Sequence, residues 1–303
     1  MSTNFIMLVD ALAVAYRAFF AVRGLSTKSG FPTNAIYGFI KMLDQLEKKW
    51  MPQYCLVVFD GGLPKERMEL LQSYKQQRPP MPDSLKKQLS YIEKYLEAVG
   101  FRWIRKEGME ADDVIASFAI TAKTRWDMDV ILATADKDFY QLVDDRIKIV
   151  PVAGKVSIPI GRKEVMQKFG VPPEQIPDLL ALTGDASDNI PGVPGVGVKT
   201  AAAILNEFGG IDNLWQRIDE FPNEKIKNLL LENKELVNRN KKLTVLNVNY
   251  DLGLEKKSCL RKSTDENKLY ELLKELEFKS LLKKMVDKKE ENKITEQGNL
   301  FNA

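Results

Sequence analysis

The chain has no histidine. That removes the commonest general base and any Ser-His triad. It has two cysteines, Cys55 and Cys259, far apart in sequence. Cys55 lies in an apolar strand pattern and reads as a buried thiol, so no disulfide framework is expected, which fits a cytoplasmic protein. No apolar run approaches the length of a membrane span. Met1-Ser2-Thr3-Asn4-Phe5 lacks a basic region followed by a long apolar stretch, so no secretory signal is expected. The Gly-x4-Gly-Lys-[Ser/Thr] phosphate loop is missing, and there are no internal repeats.

Carboxylates are present, in an unusual arrangement. Nine fall into five short groups: Asp10; Asp60; Glu110, Asp112 and Asp113; Asp136 and Asp138; Asp185 and Asp188. The first four groups each sit at or just past a buried-strand pattern, or at a helix start, where side chains converge in an open α/β sheet. Two carboxylates about 6 Å apart repel by roughly 3 kcal/mol at an effective dielectric of about 20. Such packing calls for cations, and all-oxygen ligation points to Mg²⁺ or Mn²⁺ rather than zinc. The net charge of +3 becomes +12 once these nine acids are set aside. A basic body around an acidic pocket suits a polyanion held over metals; a well-solvated mixed surface accounts for the charge equally well.

Apolar runs at 5–9, 54–59, 101–104 and 130–133 predict strands. Helical patterns cover 11–22, 35–49 with Asn34 as cap, 85–100, 111–123 and the stretch through Val143. Alternating strands and helices predict an α/β fold with a mostly parallel, helix-covered sheet. The expected organisation is an α/β core over 1–165, including a basic segment at 63–82, then a helical region over 166–286. Residues 287–303 are too polar to pack and are expected to form a disordered tail.

Each motif has a plain alternative when taken alone. Asp112 and Asp113 could be first-turn acids favoured by the helix dipole. Asp136 and Asp138 could be turn chemistry, and Asp60 a cap or turn residue. Asp185 and Asp188 point one way if helical, or are a cap followed by a turn. The run from Gly192 through Gly195 and Gly197 to Lys199 and Thr200 places glycines where a backbone can approach a ligand. The helix after it offers free N–H groups to a phosphate. It has the look of a helix-hairpin-helix, which grips backbone without reading bases. Lys75 and Arg78 could neutralise a phosphate being cut. Tyr74 could stack on a base. Read in isolation, this segment is also an ordinary solvated basic helix.

Together these residues resemble a known family. The carrying segments are Leu8-Val9-Asp10 with Ala15-Tyr16-Arg17; Val58-Phe59-Asp60; Tyr74-Lys75-x-x-Arg78; Glu110-Ala111-Asp112-Asp113; Thr134-Ala135-Asp136-Lys137-Asp138; and Thr183-Gly184-Asp185-x-x-Asp188 running into the glycine hairpin. In order and spacing, from about residue 5 to 285, the chain resembles the 5′-3′ exonuclease domain of bacterial DNA polymerase I and, more distantly, flap endonucleases. The resemblance implies a PIN-like fold, and the nine acids binding two or three divalent metals. It implies Lys75 and Arg78 as the basic pair on the scissile phosphate and Arg17 as a phosphate contact. It also implies an arch over 63–82 and a helix-hairpin-helix on duplex DNA, often with K⁺. The expected activity is removal of 5′ flaps and RNA primer ends from DNA, by a free-standing, monomeric nuclease. The end of the tail, Gln297-x-x-Leu300-Phe301, resembles a sliding-clamp-binding peptide; an incidental sequence is the alternative. Two other functions stay open on residues alone. One is a non-catalytic DNA-structure-binding scaffold associated with the clamp. The other is a related single-strand ribonuclease, against which the glycine hairpin counts.

Overall fold

The computed structural model describes residues 4–152 and 158–287; the expected tail, including Gln297, Leu300 and Phe301, lies outside the described residues. The architecture is built on five parallel strands: β1 (Phe5–Asp10), β2 (Tyr54–Phe59), β3 (Arg102–Arg105), β4 (Asp129–Thr134) and β5 (Ile147–Pro151), in the order β3-β2-β1-β4-β5. Helices α1 (Ala11–Ala21) and α2 (Asn34–Trp50) connect β1 to β2; α3 (Lys65–Leu70) and α4 (Asp83–Ala98) connect β2 to β3; α5 (Ala111–Thr124) connects β3 to β4.

Period-two alternation decides the core. Phe5, Met7 and Val9 face one side of β1 with Cys55, Val57 and Phe59 of β2, and pack against α1, α2 and α4. Ile6, Leu8, Leu56, Val58, Val130 and Leu132 face the other side, under α5. Strand order runs outward from β1 in both directions. Crossovers of one hand therefore put α1, α2 and α4 on one face and α5 on the other. The crevice between them opens at the carboxyl ends of β1 and β4, the switch point where open sheets bind ligands.

After β5 the chain is mainly helical: α6 (Arg162–Phe169), α7 (Ile176–Thr183), α8 (Val198–Phe208), α9 (Ile211–Gln216), α10 (Glu224–Glu232) and α11 (Lys234–Thr244). These continue the core under α5. The chain then turns back. Leu260 bridges Tyr54 beside β2, and α12 (Glu266–Glu275) places Leu272 and Leu273 in the opposite core, beside α4.

Three local expectations are corrected. β5 was absent from the expected strands. Asn34 does not cap α2, whose N-cap is Thr33; its amide instead donates to the Phe19 and Val22 carbonyls at the end of α1. Asp185 and Asp188 are not on a regular helix; the other reading, a cap followed by a turn, holds, with Asp185 Oδ1 accepting from Ser187 N. Gly184–Asp185 pairs antiparallel with Ile190–Pro191, and a single 3₁₀ turn joins them. Both cysteines are free and buried, and burial pushes the Cys55 thiol up. No described helix is long and apolar enough to cross a membrane.

Candidate metal centre

Asp10 ends β1 and begins the site. Its Oδ1 accepts from Ala13 N at 3.0 Å, capping α1, and its Oδ2 accepts from Thr134 Oγ1 at 3.1 Å. Burial, with Asp136 and Asp60 adding repulsion against the hydrogen bonds, raises Asp10 to about 6. Asp60 follows β2 and accepts from Gly62 N at 2.9 Å; burial raises it too. Glu110 is the N-cap of α5, with Asp112 and Asp113 in the first turn. Asp112 is pushed well up by burial, then by Asp136 and Asp10. The loop after β4 carries Asp136 and Asp138. Asp136 N donates to Thr134 Oγ1 at 3.1 Å, and Asp138 N to Asp136 Oδ1 at 2.9 Å, which fixes the turn. Burial raises both, and at Asp138 the repulsion of Asp136, Asp188 and Asp185 adds to it.

The remaining acids are paired. Glu110 is bonded by both Arg67 and Lys75. Asp113 Oδ1 accepts from Arg67 Nη2 at 2.8 Å and from Asn247 N at 2.9 Å. Asp185 Oδ1 accepts from Lys137 Nζ at 2.7 Å, Ser187 N at 2.9 Å and Ser187 Oγ at 2.6 Å. Burial works to raise Asp185, but the lysine and serine outweigh it and hold the carboxyl below its ordinary value. Asp188 faces Arg78 Nη2 at 2.5 Å, Tyr74 Oη at 3.2 Å and Lys75 Nζ at 3.6 Å. These carboxylates push the Lys75, Arg67 and Arg78 charges to higher pKa against the opposing effect of burial.

The residues fit hard divalent metals. Asp138, Asp185 and Asp188 offer oxygens within 4.8 Å of one another, so this group could hold an ion. Asp138 Oδ1 is buried without a hydrogen-bond partner, an orphan acceptor that a cation satisfies. Asp10, Asp60, Asp112 and Asp136 make no salt bridge among the described residues, although electrostatics couples Asp10, Asp112 and Asp136. Four crowded acids with no salt-bridge partner, all raised chiefly by burial, fit ions supplied from solution.

The other expected residues are placed as follows. Tyr74 is corrected: it is buried at 2% exposure, in a cluster with Ile190 and Leu243, with its hydroxyl toward Glu110 and Asp188. No ring face is free to stack on a base. Lys75 and Arg78 reach the site, but in this conformation they hold acids. Lys75 has φ 56°, and its backbone N–H bonds the Asp188 carbonyl at 3.0 Å, so the basic segment is pinned to the 3₁₀ turn. Arg17 is exposed on α1, beside Pro151 and Val152 at the end of β5. In the hairpin, a Cβ on Gly192 would meet the Thr183 carbonyl oxygen at 2.1 Å, so its constraint is internal rather than ligand-facing. Gly195, at φ +78°, and Gly197 face open space. The N-terminus of α8 follows, with Lys199 exposed and no acid in its first turn. That end is open to an anion.

Arg67 and Lys137 escaped the sequence reading. Arg67 is one cation among several in a basic stretch, and nothing local marks it for burial. Lys137 stands between two acids, a weak sign of pairing that spacing alone could not direct to Asp185.

Sequence and fold comparisons agree with this geometry. Residues 5–170 match the family described as 5′-3′ exonuclease, N-terminal resolvase-like domain, and residues 171–267 match 5′-3′ exonuclease, C-terminal SAM fold. A 5′-3′ exonuclease of Aquifex aeolicus is 42% identical over 286 residues, covering 93% of this chain and 94% of its own. The DNA polymerase I of Bacillus caldotenax is 37% identical over 282 residues; the match covers 92% of this chain and 32% of the polymerase. A solved structure of the T5 5′-exonuclease with divalent zinc bound shares the fold, with a TM-score of 0.66 at 24% identity, over 89% of this chain and 99% of the T5 chain. The acid-lined sheet edge, the hairpin and both domain matches lead to one conclusion: the chain belongs to the 5′-3′ exonuclease family.

Proposed function

We propose that the protein is a Mg²⁺- or Mn²⁺-dependent nuclease that hydrolyses phosphodiester bonds near the 5′ ends of DNA, including 5′ flaps and RNA primer ends. The observation that carries this is the group Asp10, Asp60, Asp112 and Asp136 at or beside the switch point, crowded and without a salt bridge among the described residues. Family membership supports the reaction class. Bound divalent ions would supply an ionised water at neutral pH and a Lewis acid for the leaving oxygen.

The chain's own residues do the rest. The inner acids and the group Asp138, Asp185 and Asp188 would hold two or three ions. Glu110 and Asp113 lie one step back, oriented by Arg67. Lys75 and Arg78 are transferable cations: an incoming phosphate competes with Glu110 and Asp188 for them, and the pair then neutralises charge on the phosphate. The open end of the hairpin, with Gly195, Gly197, Lys199 and Thr200, grips duplex backbone, and a K⁺ ion there would share the load. Arg17 adds a phosphate contact. The tail segment Gln297-x-x-Leu300-Phe301 suits docking of apolar anchors into a pocket of a sliding clamp; deletion of 297–303 should then abolish clamp pull-down while sparing cleavage.

Cleavage of a labelled double-flap DNA in Mg²⁺ tests the central reading. Cutting at the flap junction, lost in EDTA and in Asp136→Ala, is the expected result. Tight structure-selective binding without cutting would point to a scaffold instead.

A further inference from the structure

The cations that hold the paired acids come from two sources. Arg67, Lys75 and Arg78 belong to the basic stretch after β2, far in sequence from the acids they hold. Lys137 belongs to the acid cluster itself, in the turn between Asp136 and Asp138. That turn is tied at both ends, by Asp136 N to Thr134 Oγ1 and by Asp138 N to Asp136 Oδ1. The Lys137 ammonium therefore reaches Asp185 from a fixed base, at 2.7 Å. Asp185 is one of three acids whose oxygens converge within 4.8 Å, and its neighbour Asp138 has a buried oxygen with no partner. One half of the acidic edge thus carries Lys137 on Asp185, beside Arg78 and Lys75 on Asp188, while Asp10, Asp60, Asp112 and Asp136 make no salt bridge among the described residues.

We propose that Lys137 is a positioning residue that orients Asp185 and keeps the Asp138–Asp185–Asp188 group a weak, exchangeable metal site, so that the inner acids fill first. The inference rests on the metal-centre reading given above. An ammonium at hydrogen-bond distance from one ligand repels an arriving dication and competes with it for the Asp185 carboxylate. The Lys137 side chain is 37% exposed, so water screens it and the penalty is modest. The outer ion then becomes the one whose occupancy follows the metal concentration.

Mn²⁺ binding, counted by electron paramagnetic resonance of the free ion on the full chain without DNA, tests this. Wild-type protein should show one tight class and one weaker class. Lys137→Met should tighten the weak class by roughly five- to tenfold and leave the tight class unchanged. Lys137→Arg, which keeps the charge, should behave as wild type, as should Lys163→Met, a control for net charge at an exposed position of α6. A weak class that is unchanged or lost in Lys137→Met overturns the proposal while leaving the metal centre standing. Wild-type protein that binds no Mn²⁺ would sink both. Thermal melts of each variant check that folded protein is being compared; Lys137→Met, which leaves the buried Asp185 without its ammonium, should melt below wild type, and Lys163→Met should match it.

Discussion

Two sets of carboxylates share one sheet edge and solve the same problem differently. Asp10, Asp60, Asp112 and Asp136 sit at or beside the switch point, hydrogen-bonded only to neutral groups or beside one another. Glu110, Asp113, Asp185 and Asp188 are each latched to Arg67, Lys75, Arg78 or Lys137. The first set is crowded, relieved by Lys75 and Arg78 only from beyond salt-bridge distance, and fits ions from outside. The second is neutralised by the chain and ties the basic stretch after β2, and the 3₁₀ turn before the hairpin, to the sheet. Crowded acids are thus not one functional class: some make no salt bridge, while Asp185 and Asp188 are salt-bridged and still belong to a group that could hold an ion.

The strongest way to break this comparison is Asp136→Ala. It should lower cleavage at least about 10³-fold while DNA binding stays level or tightens; an equal loss of both would make Asp136 a binding residue. Next comes the paired set. Arg67→Met leaves Glu110 and Asp113 without their shared guanidinium and should cost roughly 3–5 kcal/mol in urea denaturation. Asp112→Asn, by contrast, should stabilise the metal-free protein by about 1–2 kcal/mol, since it removes a buried charge beside Asp136 and Asp10. Two losses of similar size would erase the distinction between the sets.

The pH dependence sharpens it. Asp10 titrates near 6 when folded against an ordinary 3.8, and Asp60, Asp112, Asp136 and Asp138 shift the same way. Between about pH 4 and 6 the folded state binds more protons than the unfolded state. The metal-free protein should therefore gain stability as pH falls through that window, with the penalty fully present above it. Mg²⁺ requires the ionised forms, so it should raise Tm more at pH 7.5 than at pH 5.5. Calorimetry with and without metal reads both; a metal shift independent of pH would argue against the inner acids as ligands. The smallest effect is at the hairpin. Lys199→Ala should weaken binding evenly across DNA sequences and flatten the salt slope by about 0.9.

Much of this was legible in the chain, and the failures have causes. The first four strands follow from short apolar runs, and acids stand at or just after the ends of β1, β2 and β4. β5 was missed because Ile147–Pro151 ends in a proline, tolerated at the sheet edge where the strand lies. Tyr74 was misjudged because its neighbours are polar; its burial comes from Ile190 and Leu243, which no local pattern links to it. The return of α12 to the face opposite α5 was equally invisible, since its apolar stripe fits any core.

The sequence by itself determined the sheet, the face each strand residue takes and the acids at its edge, because alternation and helical period are local properties of the chain. Only the tertiary structure decided which acids are neutralised. Arg67 meets Glu110 across 43 residues, Lys137 meets Asp185 across 48, and Arg78 meets Asp188 across 110. Coulomb energy depends on distance through space, and that distance exists only once the segments have packed.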